Sequence, residues 1–189
     1  GNQSVLDMLN TKYFIIGQAG AEEVRKNPGA LGNAWFVNNI QSASTNREEF
    51  EKIANLNPRN TAIVHESFSD EVQELVGNGG SIKLVDYHPD RLVYQASSNG
   101  SNLAVFSEVW YGPNKGWKAY IDGEEAPIIR VNYILRGVVI PEGSHEVVLE
   151  FKPKSYTTGK MIGTLASILL VGAIAFGFWQ SFKTSQVEN

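Results

Sequence analysis

Four aromatic residues, Trp110, Tyr111, Trp117 and Tyr120, fall within eleven positions of this chain, split by the polar stretch Gly112-Pro113-Asn114-Lys115-Gly116. Flat apolar rings beside hydrogen-bonding groups suit a sugar, whose C–H face stacks on a ring while its hydroxyls find polar partners. Asp122, just past the cluster, is a partner of that kind. The candidate glycan-binding set is therefore Trp110, Tyr111, Trp117, Tyr120 and Asp122. Strand alternation gives Trp117 a competing place in the core: it sends Trp117, Ala119 and Ile121 to one face and Lys118 and Tyr120 to the other.

Other chemistries lack the pattern they need. Glu48-Glu49 and Glu124-Glu125 invite a paired-carboxylate reading. Yet sugar-cleaving carboxyls face each other across roughly 5–10 Å, which neighbours in a helix turn or a hairpin do not. His65, His88 and His145 are far apart and lack ligand spacing, so no metal site is expected. The acids Asp86, Asp90, Asp122, Glu124 and Glu125 lie in or beside turns, and solvation explains them better than a calcium site does. There is no serine elbow or Walker-type lysine, and the glycine-rich stretch 77–80 follows a helix and precedes a strand, the wrong order for cradling a phosphate. No catalytic residue and no cofactor are assigned. A net charge of −4 and a pI of about 5.4 argue against nucleic acid as a partner. The absence of cysteine removes disulfides and thiolate chemistry.

The elements that must position these residues follow from periodicity. Residues 5–10 read as a short helix capped by Ser4, 11–16 as a strand, 17–32 as a long loop and 33–40 as a second strand. Thr45 lies three positions before Glu48 in a capping box, Phe50, Ile53 and Ala54 form an apolar side, and Asn57-Pro58 stops that helix. Residues 61–65 read as a strand and 67–77 as a short helix carrying Val72, Leu75 and Val76. Asn78-Gly79-Gly80 is a flexible break, where a small α/β part (1–80) is expected to end. Beyond it the period changes to two. Segments 82–87, 91–97, 103–111, 117–121, 126–130, 134–140 and 145–151 read as strands separated by turn signals, among them His88-Pro89-Asp90, Gly112-Pro113-Asn114 and Asp122-Gly123. Seven such strands predict an antiparallel, jelly-roll-like β-sandwich over 81–158 in a mainly β (α+β) chain. In residues 145–151, Val147, Leu149 and Phe151 alternate with Glu146, Val148 and Glu150, one face buried and one wetted.

Residues 161–182 form an uncharged run bracketed by Lys160 and Lys183. A helix of that length spans about 33 Å, enough to cross a hydrocarbon core of about 30 Å, with Trp179 placed as an interface anchor. A transmembrane helix over 160–183 is expected, followed by a tail at 184–189 and preceded by a short connector at 155–159. The chain opens on Gly1 with neither an initiator Met nor a signal peptide, so it is expected to be a fragment of a longer protein.

Several stretches together resemble one family. They are residues 5–15 (VLDMLNTKYFI), 27–37 (NPGALGNAWFV), 116–123 (GWKAYIDG), 132–138 (NYILRGV) and 141–145 (PEGSH). They resemble the C-terminal region of the YfhO family of bacterial polytopic membrane proteins. That resemblance implies a parent similar to GT-C-type glycosyltransferases, with many membrane helices, a lipid-linked sugar donor and an outward-facing active site, one branch being linked to cell-wall polymer glycosylation. It further implies that this chain is the extracytoplasmic C-terminal domain plus the last membrane helix. The family's catalytic acids belong to the N-terminal membrane half, so no catalytic residue carries over. Trp35 and Trp117 read as core.

Lys152, Lys154 and Lys160 before the helix and Lys183 after it would, by a positive-inside count, favour a cytoplasmic domain. Upstream helices set the topology of a polytopic chain, so the extracytoplasmic placement stands as the expectation. The expected function is a non-catalytic domain positioning a glycan or envelope-polymer acceptor near the bilayer; the alternative is a structural or assembly domain that braces the membrane half without a ligand of its own. Expected partners are the bilayer through 161–182, the remaining membrane half, and a glycan.

Overall fold

The computed structural model describes residues 2–73, 75, 77, 79–112 and 115–185, with the backbone alone for 178 and 180–185. In chain order the elements are α1 (Gln3–Met8), β1 (Tyr13–Ile16), β2 (Glu23–Lys26), β3 (Ala34–Val37), β4 (Asn39–Ala43), α2 (Asn46–Ile53) and β5 (Thr61–His65). Two 3₁₀ turns follow, Glu66–Phe68 and Asp70–Val72. Next come β6 (Gly80–His88), β7 (Arg91–Ser98), β8 (Asn102–Val109), β9 (Trp117–Ile121), β10 (Glu124–Ala126), β11 (Ile129–Val131), β12 (Leu135–Ile140) and β13 (Gly143–Phe151). The last element is α3 (Lys154–Ser185). The chain is mainly β. It divides into two compact units, residues 1–151 and 152–189.

In the first unit a five-stranded sheet, β10-β9-β13-β7-β6, faces a six-stranded sheet, β3-β8-β12-β11-β5-β4. All pairs are antiparallel except β4 and β5, which run parallel with α2 as their crossover, as parallel neighbours require. Leu92, Tyr94, Ala104, Phe106, Val138 and Leu149 fill the space between the sheets. Each of the leucine, phenylalanine and valine side chains among them, fully withdrawn from water, contributes about 1.5–3 kcal/mol. The opposite face of the six-stranded sheet carries Leu103, Val105, Val131 and Leu135, and Met8, Phe68 and Val72 pack against it from α1 and the 3₁₀ turns. At the β4–β5 end α2 covers the sheet, with Ile53 and Leu56 on Ala43 and Ile63.

Some local expectations need correction. The long loop at 17–32 contains β2, which pairs with β1 as a separate hairpin. The strand read at 33–40 is two strands, because the amides of Asn38 and Asn39 both donate to the Asn60 carbonyl and turn the chain there. The helix read at 67–77 is only the two 3₁₀ turns as far as it is described; Glu74, Val76 and Asn78 lie outside the described residues, as do Pro113 and Asn114 of a proposed turn. The strand read at 126–130 is interrupted at Pro127, which has no N–H for a ladder. Along β13, Val148 is buried and Phe151 exposed, since Val148 sits between Val93 and Tyr120 on the neighbouring strands. The connector read at 155–159 is helical, because α3 begins at Lys154.

The Asp122-Gly123 turn is as expected: both have positive φ (51° and 90°), and Ile121 pairs with Glu124 across it. A glycine is also required at Gly137, where a Cβ would lie 2.8 Å from the Val131 side chain. In the second unit, Lys154–Gly177 is a 24-residue helical stretch long and apolar enough to cross a membrane. The side chains of Thr164 and Ser167 return hydrogen bonds to the carbonyls of Lys160 and Gly163, so these polar groups are satisfied within their own helix.

Candidate functional site

The aromatic cluster is assembled where β8 and β12 lose register. Leu135 pairs with Val109, but the next residue, Arg136, pairs with Phe106, so residues 107–108 bulge. A bulge re-aims side chains locally, and here Glu108 and Arg136 come to the end of the sandwich beside Trp117. Arg136 is 1% exposed. Its Nε donates to the Val109 carbonyl at 2.9 Å, its guanidinium lies 3.9 Å from the Trp117 ring centre, and its Nη1 is buried without a partner. Phe151, opposite Trp117 in the β9–β13 ladder, places its ring 5.4 Å from the indole.

Two adjoining spaces share Tyr111, Trp117 and Arg136. The larger is a groove of about 690 Å³, also lined by Glu108, Lys115 and Phe151. The smaller, about 170 Å³, adds Trp110, Lys118 and Glu125. The Lys118–Glu125 pair, 2.6 Å apart, closes one edge of the smaller space. Burial pushes the Glu108 carboxyl above its ordinary range, with Arg136 pulling it partly back. Burial also lowers the Arg136 guanidinium, opposed by Glu108, Tyr94 and Tyr111. An arginine remains charged regardless, so the groove holds a dry cation under an aromatic face with a carboxyl beside it. Such a surface can stack a ring, and Lys115 and the Glu108 carboxyl at its walls can offer a donor and an acceptor to hydroxyls.

Of the residues singled out from sequence, Tyr111 and Trp117 line both spaces and Trp110 lines the smaller one. Trp117 is half-buried and does two things at once: it packs on the sandwich core and walls the groove. Tyr120 occupies the other face of β9, beside Val148, away from the groove. Asp122 sits in the β9–β10 turn, where it accepts from His145 Nδ1 at 2.7 Å and from the Glu146 amide at 2.8 Å. His65 is occupied locally, with Nδ1 at 2.9 Å from Ser67 Oγ. Arg136, Glu108, Lys115 and Phe151 were not foreseen. A signal for Arg136 did exist: it is the one charge within the apolar run ILRGVVI, residues 134–140.

A second feature adjoins Trp110. The Arg130 guanidinium lies 5.5 Å from the Trp110 ring and 5.8 Å from the Tyr133 ring, and Tyr133 meets Phe50 edge-on at 5.8 Å. Glu49, fully buried on α2, holds this arrangement by accepting from Arg130 Nη2 at 2.7 Å and from the Tyr133 amide at 2.8 Å.

Comparison with family models matches residues 78–163 to the family described as bacterial membrane protein YfhO. No curated protein and no solved structure matches this chain. The matched family and the apolar helix together associate this chain with a membrane.

Proposed function

From the premise that this chain carries a segment of the bacterial membrane protein YfhO family at residues 78–163, we propose that its β-sandwich is a non-catalytic, extracytoplasmic glycan-handling domain. In this reading the parent is a membrane glycosyltransferase, and the domain holds a glycan or envelope-polymer acceptor near the bilayer. The observation that carries it is the groove in which Trp117, Tyr111 and Trp110 gather around the buried guanidinium of Arg136. Stacking surface next to fixed donors and acceptors is what sugars require. A site of this size, lined by aromatic side chains with a few convergent polar groups, is the usual form of a small-ligand pocket. The test uses the whole chain in lipid nanodiscs, titrated with envelope glycans and followed by NMR. Shifts should gather at Trp110, Tyr111 and Trp117 and vanish in Trp117→Ala. If no glycan perturbs the groove, the binding role is wrong.

A second reading, a bracing domain for the membrane half, has its own observation. The β1–β2 hairpin exposes Tyr13, Ile15 and Val24, with Ile15 directly across from Val24. Large apolar side chains held together in water mark a contact surface. Ile15→Glu would then weaken assembly with the rest of the parent protein and leave glycan titrations unchanged.

A further inference from the structure

We infer that the glycan site is extended: Tyr133 and Phe50 form an outer platform, joined to the groove through Trp110 and Arg130, that takes further units of the same carbohydrate chain. The inference rests on the glycan reading and specifies its ligand as an oligomer or polymer in place of a single sugar.

The argument begins with backbone strain. Asn132 and Tyr133 are consecutive non-glycine residues with positive φ, 49° and 72°. For an aromatic residue this conformation is costly, and it persists only where surroundings over-determine it. Here they do. The Asn132 side chain accepts from the Ile63 amide at 2.8 Å, its own amide donates to the Ile63 carbonyl at 2.9 Å, and Glu49 takes the Tyr133 amide. The result is a Tyr133 ring held at the surface, 37% exposed, beside Phe50 at 64%. Two aromatic side chains wetted to that extent gain little stability from burial.

Continuity supplies the occupant. From Phe50 the path runs to Tyr133, then over the Arg130 guanidinium to Trp110, in steps of 5.8, 5.8 and 5.5 Å. Trp110 is itself a wall of the smaller space, which shares Tyr111, Trp117 and Arg136 with the groove. An unbroken line of rings and cations from groove to platform fits a ligand with repeating stacking faces. A single sugar in the groove would leave Tyr133 and Phe50 untouched.

The experiment compares two ligand lengths on the whole chain in nanodiscs: di- and hexasaccharides of glucose and of N-acetylglucosamine, by calorimetry. The hexamer of the sugar that binds should be held about tenfold more tightly than its dimer, the effect of one or two further stacking contacts. Tyr133→Asn removes the ring with a residue that accepts positive φ, and Phe50→Ala alters an exposed position, so both variants should fold. Each should erase most of the length advantage and leave dimer affinity as it was, whereas Trp117→Ala should weaken both lengths. A length advantage that survives both platform variants, or none in the unaltered chain, overturns the extension while the groove reading stands. No binding of either length to the unaltered chain overturns the groove reading and this extension with it.

Discussion

The guanidinium of Arg136 sits 3.9 Å above the ring of Trp117, and this contact joins the six-stranded sheet to the five-stranded one at the mouth of the groove. A desolvated cation on an indole face contributes about 2 kcal/mol. It also fixes the plane of the indole.

Removing that cation should be visible in two ways. Arg136→Met is expected to change stability by less than about 2 kcal/mol in denaturant titration, because the lost cation–π contact is offset by the relieved cost of burying the charge. Since Arg136 draws down the carboxyl of Glu108, the Glu108 titration followed by NMR should move further upward in the variant. A Glu108 that titrates unchanged would show that the two groups do not sense each other.

Glu49 bridges α2 to the sheet through Arg130 and the Tyr133 amide. Glu49→Ala leaves Arg130, whose side chain is 17% exposed, without its counter-ion. The expected loss is about 3–5 kcal/mol, read from thermal or chemical unfolding. Glu49→Gln keeps one acceptor and should cost less. Equal losses for the two variants would contradict the bridging role.

The Asp122–His145 pair predicts a pH window. The hydrogen bond to Asp122 raises His145 above its ordinary value, so its contribution is complete below about pH 6.5 and fades as pH rises through the raised value. The hydrogen bond to His145 lowers Asp122, so its contribution is present above about pH 3.8 and is lost as pH falls through the lowered value. The β9–β10 turn should therefore be firmest between about pH 4 and 6.5. Amide exchange at Glu146, whose N–H Asp122 accepts, reports this directly. Exchange protection that stays flat across the range, or follows the same curve in His145→Ala, would disprove it.

Leu169 lies within the apolar stretch of α3 and is 74% exposed. Leu169→Lys should raise the cost of membrane insertion by about 3 kcal/mol, measurable as the inserted fraction in a translocation assay. Insertion at the level of the unaltered chain would argue against this helix as a span.

Much of the architecture was legible because it depends on local period. The strands read at 103–111, 117–121 and 134–140, the Asp122-Gly123 turn, and the Thr45 cap of α2 each involve neighbours a few positions apart. What was missed needs distant partners. Asn38 ends β3 because Asn60 lies across from it, and Val148 is covered because two other strands flank it. Arg136 is not legible from sequence, because a charge inside an apolar run acquires meaning only when Trp117, some twenty positions earlier, comes to lie under it.

By itself the sequence determined a β-rich body of short alternating strands and an uncharged run long enough to cross a bilayer, since hydropathy and period are properties of contiguous residues. Only tertiary structure decided that strands from before and after Gly80 share one sheet. It alone separated Tyr120 and Asp122 from Trp110, Tyr111 and Trp117, and brought Arg136, Glu108 and Phe151 to the groove instead. Strand pairing, register and one bulge set which side chains meet, and all three arise from contacts between segments remote in the chain.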